Sequence, residues 1–186
     1  MDLKEERDLV RKAKKDPQAF SELYEKYYSQ IFGYILKRVA NLEISQDVTS
    51  ETFLKALKNL WQFRWQNVPF SSWLYIIANN EIVNYFRKQK GKKISLEKIT
   101  EPMSADNIEM EFMEAQEKLE KHKDFLKAQE KISKLDTKYQ EVIVLRFFEK
   151  KQIKEISEIL GKKEGTIKSL LHRGMEKLKD YFFETL

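Results

Sequence analysis

The feature that most constrains this 186-residue chain is a pair of apolar stripes near its C-terminus, separated by one glycine. Ile153, Ile156, Ile159 and Leu160 recur at helical spacing, and Gly161 follows them. From Glu164 to Lys179, Ile167, Leu170, Leu171, Met175 and Leu178 fall at i, i+3, i+4, i+8 and i+11. Steps of three and four put side chains on one face of an α-helix. Glycine suits the left-handed residue that ends a helix abruptly. A short helix, a glycine turn and a second helix are the outline of a helix-turn-helix. The side opposite the second stripe carries Lys168, Ser169, His172, Arg173, Glu176 and Lys177. In such a motif the second helix enters the major groove, where Lys and Arg donate to phosphates and guanine and Ser donates to either. A basic solvated helix in an ordinary bundle is the plainer alternative, and the tandem argues against it.

Upstream, the same helical logic applies. Five glycines and three prolines are few, which favours long helices. Asp16-Pro17 reads as an N-cap followed by proline at the first helical position. The helix after it presents Phe20, Leu23, Tyr24, Tyr27, Ile31 and Tyr34 on one face. Ser45 is the expected cap of the next, with Val48, Thr52, Phe53 or Leu54, and Leu57 inward. The pattern stops at Trp65–Pro69, and Ser71 or Ser72 is expected to cap a helix to about Gln89 with Leu74, Ile77, Ala78, Ile82, Tyr85 and Phe86 inside. Asp136 or Thr137 should start the helix that precedes the C-terminal tandem.

Between these halves the aromatics thin to Phe112 and Phe125, and Ile94 to Asp124 holds nine Asp/Glu against four Lys. Such a segment buries too little to offset its ordering entropy. The expectation is therefore an all-α chain of two small helical domains: residues 1–90, an acidic linker over 91–130 with helical potential from about Asn107, and the helix-turn-helix domain over 131–186. A third core helix in the middle is the rival reading.

Composition removes several function classes. Without cysteine there are no disulfides or thiolate metal sites, as befits a reducing compartment. No apolar run nears the ~20 residues that span a bilayer, and the charged start MDLKEERD has no signal-peptide core, so no membrane insertion and a cytoplasmic location are expected. His122 and His172 are far apart in sequence and lack clustered partners; no Walker, Rossmann or zinc-protease spacing occurs. No catalytic residue, metal or cofactor is expected. A net charge of +5 suits a polyanionic partner.

The segment LRFFEKKQIKEISEILGKKEGTIKSLLHRGMEKLKDYF resembles the fourth conserved region of bacterial sigma factors, particularly the small extracytoplasmic-function group. The match runs through Leu145, Arg146, Glu149, Glu155, Ile156, Leu160, Gly161, Gly165, Thr166, Lys168, Ser169, Leu171 and Arg173. Lys150 stands where the pattern has glycine, and Leu170 where arginine is frequent. The resemblance implies that Thr166, Lys168, Ser169, His172, Arg173 and Lys177 meet the promoter's minus-thirty-five element. Ser45 to Ala56 resembles the family's second region, which implies that Gln46, Asp47, Ser50 and Glu51 dock on core RNA polymerase. Phe70 to Lys88 is similar to the segment that opens the minus-ten element. Arg64, Trp65, Gln66, Asn67, Asn79, Asn80, Asn84, Arg87 and Lys88 are implied there, with aromatic rings stacking on bases and Asn amides reading their edges. Trp73 and Tyr85 are expected in the core. RNA polymerase core, promoter DNA and an anti-sigma protein are the implied partners. The alternative is a stand-alone, dimeric helix-turn-helix regulator that binds a palindrome without polymerase.

Overall fold

The computed structural model describes residues 3–65, 69–89 and 126–183, and every regular element among them is helical. The N-terminal half is a bundle of α1 (Leu3–Ala13), α2 (Phe20–Val39), α3 (Leu42–Asn59) and α4 (Phe70–Gln89). Asp16 caps as expected: its carboxylate accepts the Gln18 N–H at 2.9 Å, and a 3-10 turn, Pro17–Ala19, leads into α2. A second 3-10 turn, Leu60–Gln62, follows α3.

Two expected starts move upstream. Asn41, not Ser45, caps α3 by accepting the Ile44 N–H at 2.9 Å. Ser45 lies a turn inside, buried, and its hydroxyl donates to the Asn41 carbonyl at 2.6 Å. Helix α4 begins at Phe70, which leaves Ser71 and Ser72 buried in its first turn.

The inward face of α3 also differs from the hydrophobic pattern. It is Ser45, Val48, Thr49, Thr52, Phe53 and Ala56, while Leu54 (43% exposed) and Leu57 (38%) face outward. The hydroxyls can be buried because the helix itself satisfies them: Thr49 donates to the Ser45 carbonyl at 2.6 Å and Thr52 to Val48 at 2.7 Å. A buried face built from threonine and serine is invisible to a count of apolar residues. Tyr24, also expected inside, is 39% exposed but sets its ring 4.8 Å from Phe53.

The core of this half is aromatic. Phe70 is fully buried, with Phe63 at 5.3 Å and Trp73 at 5.5 Å between ring centroids, and Tyr34 meets Tyr75 edge-on at 5.0 Å. Each such burial contributes about 1.5–3 kcal/mol, with up to about 1.5 more from ring geometry. Trp73 and Tyr85 are partly buried against this core. Glu6 of α1 lies inside it too, its carboxylate accepting from the Tyr27 hydroxyl and from the Phe70 N–H. Lys55 joins α3 to α4 through Glu81 at 2.7 Å.

In the C-terminal half, helical residues 126–133 (α5) precede α6 (Thr137–Ile143), which widens into a π-helical turn, Val144–Phe148. Then come α7 (Ile153–Leu160) and α8 (Glu164–Phe183). Asp136 occupies the N-cap position of α6. Ile156, Ile159 and Ile167 are buried, and Leu170, Leu171, Met175 and Leu178 pack against that core. Gly174 lets α8 approach α6, because a Cβ there would lie 3.0 Å from Ile143 and 3.2 Å from Tyr139. The expected linker, 91–130, falls mostly outside the described residues. Its last part, 126–130, is helical, and Gln129 is buried, donating to the Leu36 carbonyl at 2.7 Å.

The halves meet where α2 and α4 face the π-helical turn and α7. Glu149 is the centre of this contact. Its side chain is 7% exposed and accepts from Lys37 at 2.9 Å and from the Tyr75 hydroxyl at 2.5 Å. Lys151 lies over the Tyr75 ring and Lys37 over the Phe148 ring.

Candidate nucleic-acid interface

The turn that aims α8 is set by backbone chemistry. The Glu155 carboxylate accepts the Gln152 N–H at 2.8 Å and fixes the start of α7. Gly161 ends it in the left-handed region (φ 61°), and the Lys162 N–H returns to the Ser157 carbonyl at 3.1 Å. Helix α8 then restarts within three residues, with its apolar stripe turned inward.

Thr166, Lys168, Ser169, His172, Arg173 and Lys177 are all exposed on α8, as the sequence expects. Lys168, His172 and Arg173 share the first turns, where a recognition helix meets base edges and phosphates. Ser169 donates to the Gly165 carbonyl at 3.0 Å and keeps its lone pairs for a further donor. His172 Nε2 lies 3.4 Å from Glu176. Leu170, where the family pattern has arginine, is partly buried, so this position adds packing and no charge. A broad depression of about 610 Å³ beside the helix is lined by Tyr139, Arg173, Glu176, Lys177, Lys179 and Asp180. It is wide open and mixes both charge signs, so it does not isolate a reacting group.

The second group of residues lies on α4 and before it. Arg64 is exposed; Trp65 is half-buried with its ring 6.1 Å from Phe63. Gln66 and Asn67 lie outside the described residues. Asn80 and Lys88 are exposed, and Asn84 accepts from Arg87 at 2.9 Å. Asn79 requires a correction. It is 9% exposed, and its amide oxygen accepts from the Arg38 guanidinium at 2.6 Å, so it faces the core and not a base edge. The reason is Arg38 itself, fully buried on α2 and bonded also to the Tyr34 hydroxyl at 2.7 Å. A buried guanidinium needs acceptors, and Asn79 supplies one. Sequence reasoning had no signal for this, since Arg38 reads as a surface residue near a helix end.

The third group is a face of α3. Gln46, Asp47, Ser50 and Glu51 are all exposed there; Glu51 lies 3.4 Å from Lys55. The same side continues through Leu54 and Leu57 to Trp61, which is 72% exposed. These apolar residues were not expected to face outward. A tryptophan this exposed, next to two exposed leucines and two carboxylates, is the composition of a protein-docking surface.

Burial holds the phenols of Tyr27, Tyr34 and Tyr75 well above the usual tyrosine range; at Tyr27 the Glu6 carboxylate adds to it, and at Tyr75 the Glu149 carboxylate does. At Tyr34 the Arg38 cation opposes the burial. Among the described residues no group of three or more His, Asp or Glu could hold a metal, and no helix is long and apolar enough to cross a membrane.

Comparison with known proteins finds two family matches along the chain. Residues 23–92 match the model of sigma-70 region 2, and residues 125–178 match that of sigma-70 region 4. The chain is 32% identical to the ECF RNA polymerase sigma factor SigW of Bacillus subtilis, over 91% of this chain and 92% of that protein. It is also 32% identical to the ECF RNA polymerase sigma factor BldN of Streptomyces coelicolor, over 92% of this chain but 63% of BldN. In solved structures, the fold is similar to CnrH in complex with the cytosolic domain of CnrY (TM-score 0.69, 20% identity, 96% of this chain and 97% of that one). It is also similar to the sigma factor RpoE in complex with the anti-sigma factor NepR from Bartonella quintana (TM-score 0.66, 18% identity, 87% and 94%).

Proposed function

Because the chain belongs to the ECF group of RNA polymerase sigma factors, a transcription initiation factor that binds polymerase and promoter DNA, we propose how its surfaces divide that work. Residues 1–90 bind core polymerase and open the minus-ten element; residues 131–186 anchor the minus-thirty-five element; residues 91–130 tether the two. The observation that carries this reading is the exposure of α8's Lys168, Ser169, His172 and Arg173 on one half and of α3's Asp47, Glu51 and Trp61 on the other. A helix-turn-helix alone supports DNA binding only; a separate protein-docking face on the second domain supports a two-partner subunit.

On α3, Gln46, Asp47, Ser50 and Glu51 form the polar end of the polymerase contact, and Leu54, Leu57 and Trp61 form its apolar end. On the other surface, Arg64, Trp65, Asn80, Asn84, Arg87 and Lys88 take the opened minus-ten strand, together with Gln66 and Asn67. Asn79 is removed from this set and becomes a support for Arg38. An anti-sigma protein is the regulator, a reading supported by the sigma factor RpoE having been solved with the anti-sigma factor NepR. The protein works in the cytoplasm as a non-catalytic subunit, with no metal or cofactor. A stand-alone dimeric regulator does not account for the region 2 match.

The test is reconstitution with core polymerase. Wild-type chain co-migrates with core and programs run-off transcription. Trp61→Ala weakens association with core by at least about 1 kcal/mol, roughly fivefold, as loss of an aromatic interface anchor does. Failure of the wild-type chain to associate with core rejects the proposal.

A further inference from the structure

Helix α3 carries an apolar face that no described residue covers. Leu54, Leu57 and Trp61 are exposed along it, while the C-terminal half packs on α2 and α4. Leucine and tryptophan held in water cost free energy, and a partner that covers them recovers it.

The charges on this face run in one direction. Asp47, Glu51, Leu54, Lys58 and Trp61 follow one another at steps of four, three, four and three. Those steps keep all five on one side of α3 and of the turn that continues it. All five are exposed. Carboxylates thus lie before Leu54 and an ammonium lies after it. Glu51 is 3.4 Å from Lys55, but Glu81 holds Lys55 more closely at 2.7 Å, so the Glu51 carboxylate can turn outward. Asp47 and Lys58 form no ion pair among the described residues.

A face with acid before its apolar centre and base after it complements itself when turned end for end. Two copies related by a two-fold axis near Leu54 set Lys58 of each against the Asp47–Glu51 end of the other. The leucines meet at the axis. Each Trp61 lies toward the opposite carboxylate end, where its indole N–H has acceptors. Parallel pairing would set like charge on like, so the antiparallel pair is selected, and it closes at two chains.

We propose that the free chain pairs with a second copy of itself, α3 against α3 and antiparallel, and that core polymerase has to displace this partner. The displacement rests on the reading that the same face docks on core; the pairing does not. A contact of one helix per chain falls at or below the roughly 1,200 Å² where stable interfaces begin. The pair is therefore weak enough for core to break.

Pairing is measured on the free full-length chain, without core, by sedimentation velocity over a concentration series. The chains are wild type, Lys58→Glu and the triple reversal Asp47→Lys/Glu51→Lys/Lys58→Glu. Wild-type chain should pass from monomer to dimer with a Kd on the order of 10 μM. Lys58→Glu sets like charges together at both ends of the pair and should weaken it about tenfold or more. The triple reversal restores antiparallel complementarity and should return to within about threefold of wild type. Thermal unfolding should match in all three, since only exposed side chains change. A wild-type chain that stays monomeric throughout overturns the proposal. So does a dimer that Lys58→Glu leaves unchanged, or one that the triple reversal fails to recover. Core polymerase added to the wild-type dimer should dissolve it, and core bound to an intact dimer overturns the displacement. If the chain pairs as described yet never associates with core, the functional division fails and the pairing stands.

Discussion

Three left-handed residues show how single positions shape this molecule. Ala40 (φ 53°), Lys150 (φ 56°) and Gly161 (φ 61°) each end or redirect a helix, and only the last is glycine. A Cβ on Gly161 would meet nothing within 4 Å. Gly161→Ala should therefore cost only the backbone penalty, about 1–2 kcal/mol, read as a lowered urea midpoint. Lys150→Gly should move the midpoint the other way or leave it unchanged, because relief of the same strain is partly offset by the freer unfolded chain. Equal destabilisation by both would show that the turn is not governed by φ. The buried phenols give a second residue-level expectation. Tyr27, Tyr34 and Tyr75 have pKa values raised above the ordinary value of 10.0. A raised folded-state pKa means that the native state holds the proton longer than the unfolded chain. The associated stability is complete below about pH 10 and is lost as pH climbs past it toward the folded values. Of eight tyrosines, these three should gain phenolate absorbance only as the protein unfolds in alkali. Their smooth ionisation near pH 10 in a folded chain would contradict the packing.

At the level of elements, legibility tracked the type of side chain that builds each buried face. The α7–Gly161–α8 tandem was readable because its inner faces are Ile, Leu and Met with a glycine between. Helix α3 was half-readable. Its outward carboxylates were found, but its inner face of Ser45, Thr49 and Thr52 satisfies itself by bonding to its own backbone. That displaced Leu54 and Leu57 to the outside and hid the surface that ends at Trp61. On α4, Asn80 is exposed and Asn84 half-buried, while Asn79 is claimed by a buried arginine forty-one positions earlier in sequence, a long-range demand that no local pattern carries. The proposed role of α8 makes a sharp prediction. Lys168→Ala/Arg173→Ala should flatten the salt dependence of duplex binding by about 1.8, two contacts at about 0.9 each. A slope equal to the wild type would mean that α8 does not touch phosphates.

Among the described residues, polar and charged groups help to hold the two halves together. Glu149 accepts from both Lys37 and Tyr75 across the contact, and a single amide oxygen cannot replace both carboxylate oxygens. Glu149→Gln should loosen the contact, seen as a larger radius of gyration by small-angle scattering with helix content unchanged. An unchanged radius would show that the apolar part of the contact suffices. Glu149 also lies within the family-like segment before α7, so one side chain joins the helix-turn-helix half to the N-terminal bundle. We propose that the chain reads two promoter elements with separate domains while holding polymerase by a third surface. The most direct test is transcription by core polymerase on a randomised promoter library, with wild-type and Lys168→Ala/Arg173→Ala chains. Enriched promoters should show two separated sequence blocks for the wild type, and the variant should lose the upstream block alone. One palindromic block, or enrichment that does not depend on adding the chain to core, would contradict it.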